Sequence, residues 1–350
     1  MALLAASCRP SAATALETPT SSQTTGLALE SPSASPATAP ALPVIFDDDG
    51  SPDGTTALLY LLSHPSVDLR GASVSFGEAY PETYIQHFGR LIDAYGKADV
   101  PLGAGEAAPL AGNNMFPEAM RLAANDFWGF PLPHPDRTYP AEVAANMMVS
   151  VVNGSQEPVT IFVSGPATNL ARALRQEPDL AANIQAVVMM GGAVHVPGNI
   201  HDLIRDSENE VAEWNVYADP QAAREVLASG VPIVMVPLDA TNQVSVDRDD
   251  TSGWRDGGPG ADLAAEIYDS LMSNWGTDRA AIWDLMTAAI MTDRSLCGFE
   301  ALALDVVTAD GPTSGQTVIL PGGQPNVSVC LEPDVERIMQ TLVEVFSSGG

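Results

Sequence analysis

Short, near-continuous apolar runs alternate with stretches of helical spacing along most of this chain, and that alternation leaves few folds open. Runs at residues 43–46, 68–75, 159–163, 184–190 and 231–236 read as strands. Segments at 55–63, 81–95, 141–153, 167–175, 220–229, 261–275 and 283–291 read as helices; Tyr84, Phe88, Leu91 and Ile92, for instance, share one helical face. Strands that are apolar on both faces must be covered on both. The pattern therefore predicts an α/β fold, a mainly parallel open sheet with helices on both faces, Rossmann-like in layout. Residues 101–140 break the rhythm with many Pro, Gly and Asn residues and read as loop, with a short helix near 117–124. Hydrophobic residues make up 45% of the 350, enough to fill the core of one domain over 43–350.

The first 42 residues follow other rules. Residues 9–42 are rich in Ser, Thr, Ala and Pro and lack the apolar mass to offset ordering entropy, so they read as a disordered tether. Residues 1–8, MALLAASC, resemble the end of a bacterial lipoprotein signal in which Cys8 is lipidated, although Ala5 stands where such signals usually carry leucine. Cys8 followed by a tether points to an extracytoplasmic, lipid-anchored chain, with a cytoplasmic one as the alternative. No run of 18 or more apolar residues exists, so the only predicted membrane link is that anchor.

Charge removes several partners. The formal net charge is -29, from 44 acidic and 15 basic residues. Such a field repels phosphate backbones and anionic lipid, so nucleic acid is not an expected partner. A neutral small molecule or a cation suits it better, and self-association into a homo-oligomer stays open. The three cysteines, Cys8, Cys297 and Cys330, show no zinc-type spacing. Sequence does not decide whether Cys297 and Cys330 pair.

The chemistry concentrates after the first strand, in Asp47-Asp48-Asp49-Gly50-Ser51-Pro52-Asp53. Carboxylates this dense repel one another unless a cation or buried hydrogen bonds offset the repulsion, and a hard divalent ion such as Ca²⁺ takes carboxylate oxygens. Ligands of open parallel sheets bind beyond the C-terminal strand ends. The acidic turn, Ser164-Gly165-Pro166, Met190-Gly191-Gly192 and Asp239 all follow strands and should share one face.

Four segments in order carry a family resemblance: VIFDDDGSPDGTTAL at 44–58, VSGPATNL at 163–170, MMGGA at 189–193 with Asn199 and AEWNVYADP at 212–220, and Ile282-Trp283-Asp284. Together they resemble the inosine-uridine-preferring nucleoside hydrolases over about 43–346, whose first segment runs Asp-x-Asp-x-x-x-Asp-Asp. The resemblance implies hydrolysis of the N-glycosidic bond of a ribonucleoside and a Ca²⁺ cofactor. It makes Asp49 the metal-liganded general base that activates the attacking water, with Ser164 (through its carbonyl) and Asp284 as further ligands. It makes Asp53, Asn199, Glu213 and Asn215 the ribose-binding set, with Glu78 near ribose and metal.

Where many members have a catalytic histidine, Trp283 stands here, which resembles the purine-preferring members that stack the base on tryptophan. Trp214 is a candidate second wall, Phe116 or Trp128 a candidate lid, and His195 or His201 a candidate general acid. N-ribosyl cleavage passes through a cationic, oxocarbenium-like state, which carboxylates around the ribose stabilise. One position departs from the pattern: Gly54 replaces an aspartate that ligates the metal in the family. Either Glu78, Asp47 or Asp48 substitutes, or metal affinity falls, or the chain is a nucleoside- or sugar-binding lipoprotein that has lost catalysis.

The same turn also matches the DxDG[ST] signature of haloacid-dehalogenase-type phosphatases, with Asp47 as nucleophile and Asp49 as acid/base. That chemistry needs a lysine beside the phosphate. The only lysine, Lys97, lies at a helix end away from the strand ends.

Overall fold

The computed structural model describes residues 41–348. The lipid-anchor reading of Cys8 and nearly all of the tether lie outside the described residues; Leu42 already belongs to the first strand.

Nine strands form one sheet: β1 (Leu42–Asp48), β2 (Val67–Val74), β3 (Leu102–Ala104), β4 (Glu142–Val143), β5 (Val159–Ser164), β6 (Ile184–Met190), β7 (Ile233–Val236), β8 (Cys297–Leu302) and β9 (Val327–Pro333). Their order is β8-β9-β7-β6-β5-β1-β2-β3-β4. Every neighbouring pair is parallel except β8 with β9. The mainly parallel sheet is as expected. The antiparallel edge was not, because Cys297–Leu302 is half exposed and carries no continuous apolar run. Cys297 and Cys330 form a disulfide across that edge, with Cα atoms 5.8 Å apart.

The helices that frame the sheet and the site are α1 (Pro52–Ser63), α2 (Pro81–Ala94), α3 (Glu118–Asn125), α4 (Ala144–Gly154), α5 (Thr168–Gln176), α6 (Trp214–Ala218), α7 (Pro220–Leu227), α8 (Pro259–Trp275), α9 (Trp283–Thr292) and α10 (Val335–Ser348). Alternate residues of each strand feed two cores. Val44, Phe46, Phe162, Val188 and Val234 pack under α1, α2, α8, α9 and α10. Ile45, Ile161, Val163, Val187 and Met235 pack under α4, α5 and α7. In the long loop, α3 forms close to where the spacing puts it, and Leu102–Ala104 adds a strand too short to read from sequence.

Strand order reverses direction between β1 and β5, so their connections leave to opposite sides and a crevice opens beyond their C-terminal ends. The acidic turn ends β1 and Ser164 ends β5, which puts both at that crevice.

Candidate active site

A cavity of about 580 Å³ sits at the crevice. Asp49, Asp53, Glu78, Ser164, Asn199, Glu213, Trp214, Asn215, Trp283 and Asp284 all line it, so residues spread over 230 positions of sequence meet at one place. A larger open groove beside Tyr80 and Glu142 contains none of them.

The floor is built from strand and helix ends. Ser51 caps α1: its Oγ accepts from the Gly54 N–H at 2.7 Å, and Pro52 opens the helix with a ready-set φ. The same Oγ donates to Asp284 Oδ2 at 3.1 Å, joining the acidic turn to α9. Asp53 accepts the backbone N–H of Asp284 at 2.6 Å on one oxygen and the Tyr268 hydroxyl on the other. Asp49 accepts the Glu78 N–H at 3.1 Å. Its side chain is boxed by glycines: a Cβ on Gly77 would lie 2.3 Å from Asp49 Oδ2, and one on Gly165 2.7 Å from Asp49 Cβ.

Asn199, Glu213 and Asn215, expected to bind ribose, form one linked unit. Glu213 caps α6, taking the Asn215 N–H at 2.8 Å on Oε1 and the Gly192 and Val216 N–H groups at 2.9 and 3.2 Å on Oε2. Asn215 donates to the Met190 carbonyl at 3.2 Å, and Asn199 Oδ1 accepts the Trp214 N–H at 3.1 Å.

Asp48, Asp49, Asp53, Glu78, Glu213 and Asp284 are all buried, and among the described residues none takes part in an ion pair. Burial raises the proton affinity of all six, and repulsion from neighbouring carboxylates adds to it at Asp48, Asp49, Glu78 and Asp284. Asp48 is pushed up to about 7 and Glu78 to about 8. Asp49 and Asp284 stand well above the usual carboxylate range, and burial raises Glu213 as well. Burial lifts Asp53 to about 6, against the hydrogen bonds that hold its charged form.

The donors suit a hard divalent cation: the Asp49 and Asp284 carboxylates and the Ser164 carbonyl offer only oxygen. Among the described residues no three acids, histidines or cysteines already stand as a closed cage. A divalent cation held among these carboxylates would offset their mutual repulsion.

Several expectations need correction. His195 does not reach the cavity: Asp239 Oδ1 holds its backbone N–H at 2.7 Å, and the residue is exposed. His201 is exposed beside Asp202. No histidine is among the lining residues. Trp128 packs edge-on against Tyr84 (5.7 Å) and away from the cavity, whereas Phe116 stacks on Trp214 at 4.3 Å and lines it. Asp47 points off to Ser73 Oγ (2.7 Å) and Asn169 Nδ2 (2.9 Å), fully buried. A nucleophile for phosphate cannot work from there, which removes the phosphatase reading. Sequence reasoning missed Arg205, Leu271, Trp275 and Arg279 among the lining residues. Of these, Trp275 is a half-exposed indole at the C-terminus of α8, where helical spacing gave it no special standing.

Residues 44–340 match the family model described as inosine-uridine preferring nucleoside hydrolase. The chain is 31% identical to the pyrimidine-specific ribonucleoside hydrolase RihA of Citrobacter koseri over 314 residues, 87% of this chain and 97% of that one. It is equally similar to RihA of Klebsiella pneumoniae subsp. pneumoniae, at 31% over 87% and 98% of the two chains. Among solved structures, the inosine-uridine preferring nucleoside hydrolase of Bacillus anthracis superposes with a TM-score of 0.73 at 26% identity, over 87% of this chain and 99% of that one. The purine-preferring ribonucleoside hydrolase of Gardnerella vaginalis shares the fold, with a TM-score of 0.76 at 24% identity over 87% and 98%. The chain belongs to the inosine-uridine preferring nucleoside hydrolase family, enzymes that hydrolyse the N-glycosidic bond of ribonucleosides.

Proposed function

We propose that this enzyme cleaves purine ribonucleosides to free base and ribose with Ca²⁺ as cofactor and Asp49 as general base. The observation that carries the reading is the meeting, in one cavity, of a buried carboxylate floor with an indole wall at Trp283. Asp49 and Asp284, with the Ser164 carbonyl, would hold the cation, which when bound acts as a Lewis acid that makes water a stronger nucleophile near neutral pH. Asp49 takes the proton of the attacking water. Glu78 and Glu213 bring negative charge to the ribose as positive charge develops on it. Asn199 and Asn215 orient the sugar hydroxyls.

The base leaves along Trp283, and the stacked pair Trp214 and Phe116 lines the same cavity. Two indoles suit the two-ring surface of a purine, since stacking contributes ~1–3 kcal/mol per base. The indole Nε1 atoms of Trp214 and Trp283 are buried without a protein partner, so each keeps a free N–H donor. Asp53, whose oxygens hold α9 and Tyr268, stiffens the ribose side.

The test is ribose release from inosine, adenosine, guanosine, uridine and cytidine with Ca²⁺ and with chelator. Turnover of purines with loss of activity in chelator is expected. Preference for uridine and cytidine, the specificity named for the RihA relatives, would overturn the purine assignment. Ligand binding without release of base would overturn hydrolysis. Asp49→Ala should abolish turnover, and retained activity removes Asp49 as the base.

The enzyme works outside the cytoplasm, a reading supported by the Cys297–Cys330 disulfide, because such bonds persist in oxidising compartments. Radiolabelled palmitate incorporation at Cys8, lost in Cys8→Ala, checks the anchor.

A further inference from the structure

Gly54 stands where the family resemblance implies a metal-ligating aspartate, and the space beside it is already taken. A Cβ on Gly54 would lie 1.7 Å from Asp48 Oδ2, 2.4 Å from Asp48 Cγ and 2.7 Å from Oδ1. The carboxylate of Asp48 therefore occupies the volume in which a side chain at position 54 would begin. Neither Asp47 nor Glu78 is placed to do this: Asp47 is held on the other side by Ser73 and Asn169, and Glu78 enters from the loop after β2.

Asp48 is the last residue of β1 and lies behind the cavity lining, fully buried. Its group is aimed by two fixed donors. Oδ1 accepts the Gly50 N–H at 2.7 Å, and Oδ2 accepts Ser164 Oγ at 2.8 Å. Each oxygen thus spends one lone pair and keeps another. The Ser164 contact ties Asp48 to the residue whose carbonyl belongs to the same donor set, and its charge is felt by Asp49, Glu78 and Asp284. In a strand, successive side chains face opposite ways, so Asp48 leaves β1 on the side opposite to Asp47.

We propose that Asp48 is a relocated metal ligand: its carboxylate, carried by the strand, does for the divalent cation what the aspartate after Asp53 does elsewhere in the family. The inference rests on the metal-dependent reading above. It makes Gly54 an obligate partner, since only a residue without Cβ leaves room for the Asp48 carboxylate.

The experiment measures Ca²⁺ binding by calorimetry on the full chain, wild type beside Asp48→Asn, Asp48→Ala, Gly54→Asp and the double variant Asp48→Ala/Gly54→Asp. Thermal unfolding in chelator verifies that each is folded. Both Asp48 variants should lose Ca²⁺ affinity by about tenfold or more, because affinity follows the charge count of the site. The double variant should recover most of that loss, with Ca²⁺-dependent ribose release returning in parallel, while Gly54→Asp alone should gain nothing. Wild-type affinity in Asp48→Asn, or a double variant as weak as Asp48→Ala, overturns the relocation and leaves the hydrolase reading intact. A wild-type chain that releases ribose yet binds no divalent cation overturns both the relocation and the metal dependence.

Discussion

Gly165→Ala isolates the position of Asp49, the proposed general base. Gly165 has a backbone conformation open to any residue, so alanine there carries no φ penalty. What it meets is Asp49: the new Cβ would lie 2.7 Å from Asp49 Cβ, 2.8 Å from Asp49 N and 2.9 Å from Ser75 Oγ. Two of these atoms belong to the root of Asp49, which no rotamer change moves away. Ordinary contact begins near 3.4 Å, so Asp49 must retreat by about 0.7 Å. A misplacement of ~1 Å in a catalytic group costs roughly a hundredfold in rate. A fall in kcat of between about tenfold and a hundredfold is therefore expected, or ~1.4–2.7 kcal/mol of barrier. Overpacking should also cost ~1–3 kcal/mol of stability. The assay is steady-state ribose release from inosine, with KM expected to change far less than kcat because the proposed ribose-binding residues at α6 are untouched. Gly154→Ala is the control, since a Cβ there meets nothing within 4 Å. A folded Gly165→Ala enzyme with kcat within about twofold of wild type would refute Asp49 as a tightly placed base.

Trp283→Ala should lower kcat/KM for purine ribonucleosides by roughly 5–150-fold, the equivalent of ~1–3 kcal/mol of stacking, with Trp283→Phe recovering part of it; equal values for the alanine variant would remove the indole as base wall. The buried carboxylates also set a pH dependence. Their folded affinities, about 6 for Asp53, about 7 for Asp48 and about 8 for Glu78, lie above the ordinary carboxylate values. The folded chain thus keeps protons that the unfolded chain has released, so stability in chelator should fall as pH rises from near 5 to near 8. The rise in Tm on adding Ca²⁺ should be larger near pH 8, where fewer protons compete; a larger rise near pH 5 would contradict it. Cys330→Ser should cost about 2–4 kcal/mol of stability, seen as a lower Tm, yet leave KM unchanged because the disulfide joins β8 and β9 at the sheet edge.

The layered fold was legible because β1, β5 and β6 are apolar on both faces and the helices between them have helical spacing. What escaped were elements whose reason lies in tertiary contact. Leu102–Ala104 is three residues long, and Cys297–Leu302 is an edge strand that keeps polar residues. In the site, Asp49, Asp53, Glu213 and Asp284 were found because each follows or begins a regular element and matches a motif. His195 was misplaced because nothing in its neighbours reveals that Asp239 takes its backbone. Asp48 could only be one of three substitutes for the carboxylate absent at Gly54, because choosing among them needs the direction of a side chain at a strand end, which spacing does not give.

Asp53 has a consequence for how substrate is met. Its two oxygens fasten α8, through Tyr268, and the first turn of α9, one residue beyond Trp283, to the helix that begins beside the acidic turn. The proposed sugar and base sides of the cavity therefore hang from a single carboxylate. A shift of either half is therefore passed to the other through that group. Under the proposed function, discrimination among bases then falls to the shape of the cavity and to its exposed lining residues Arg205, Trp275 and Arg279.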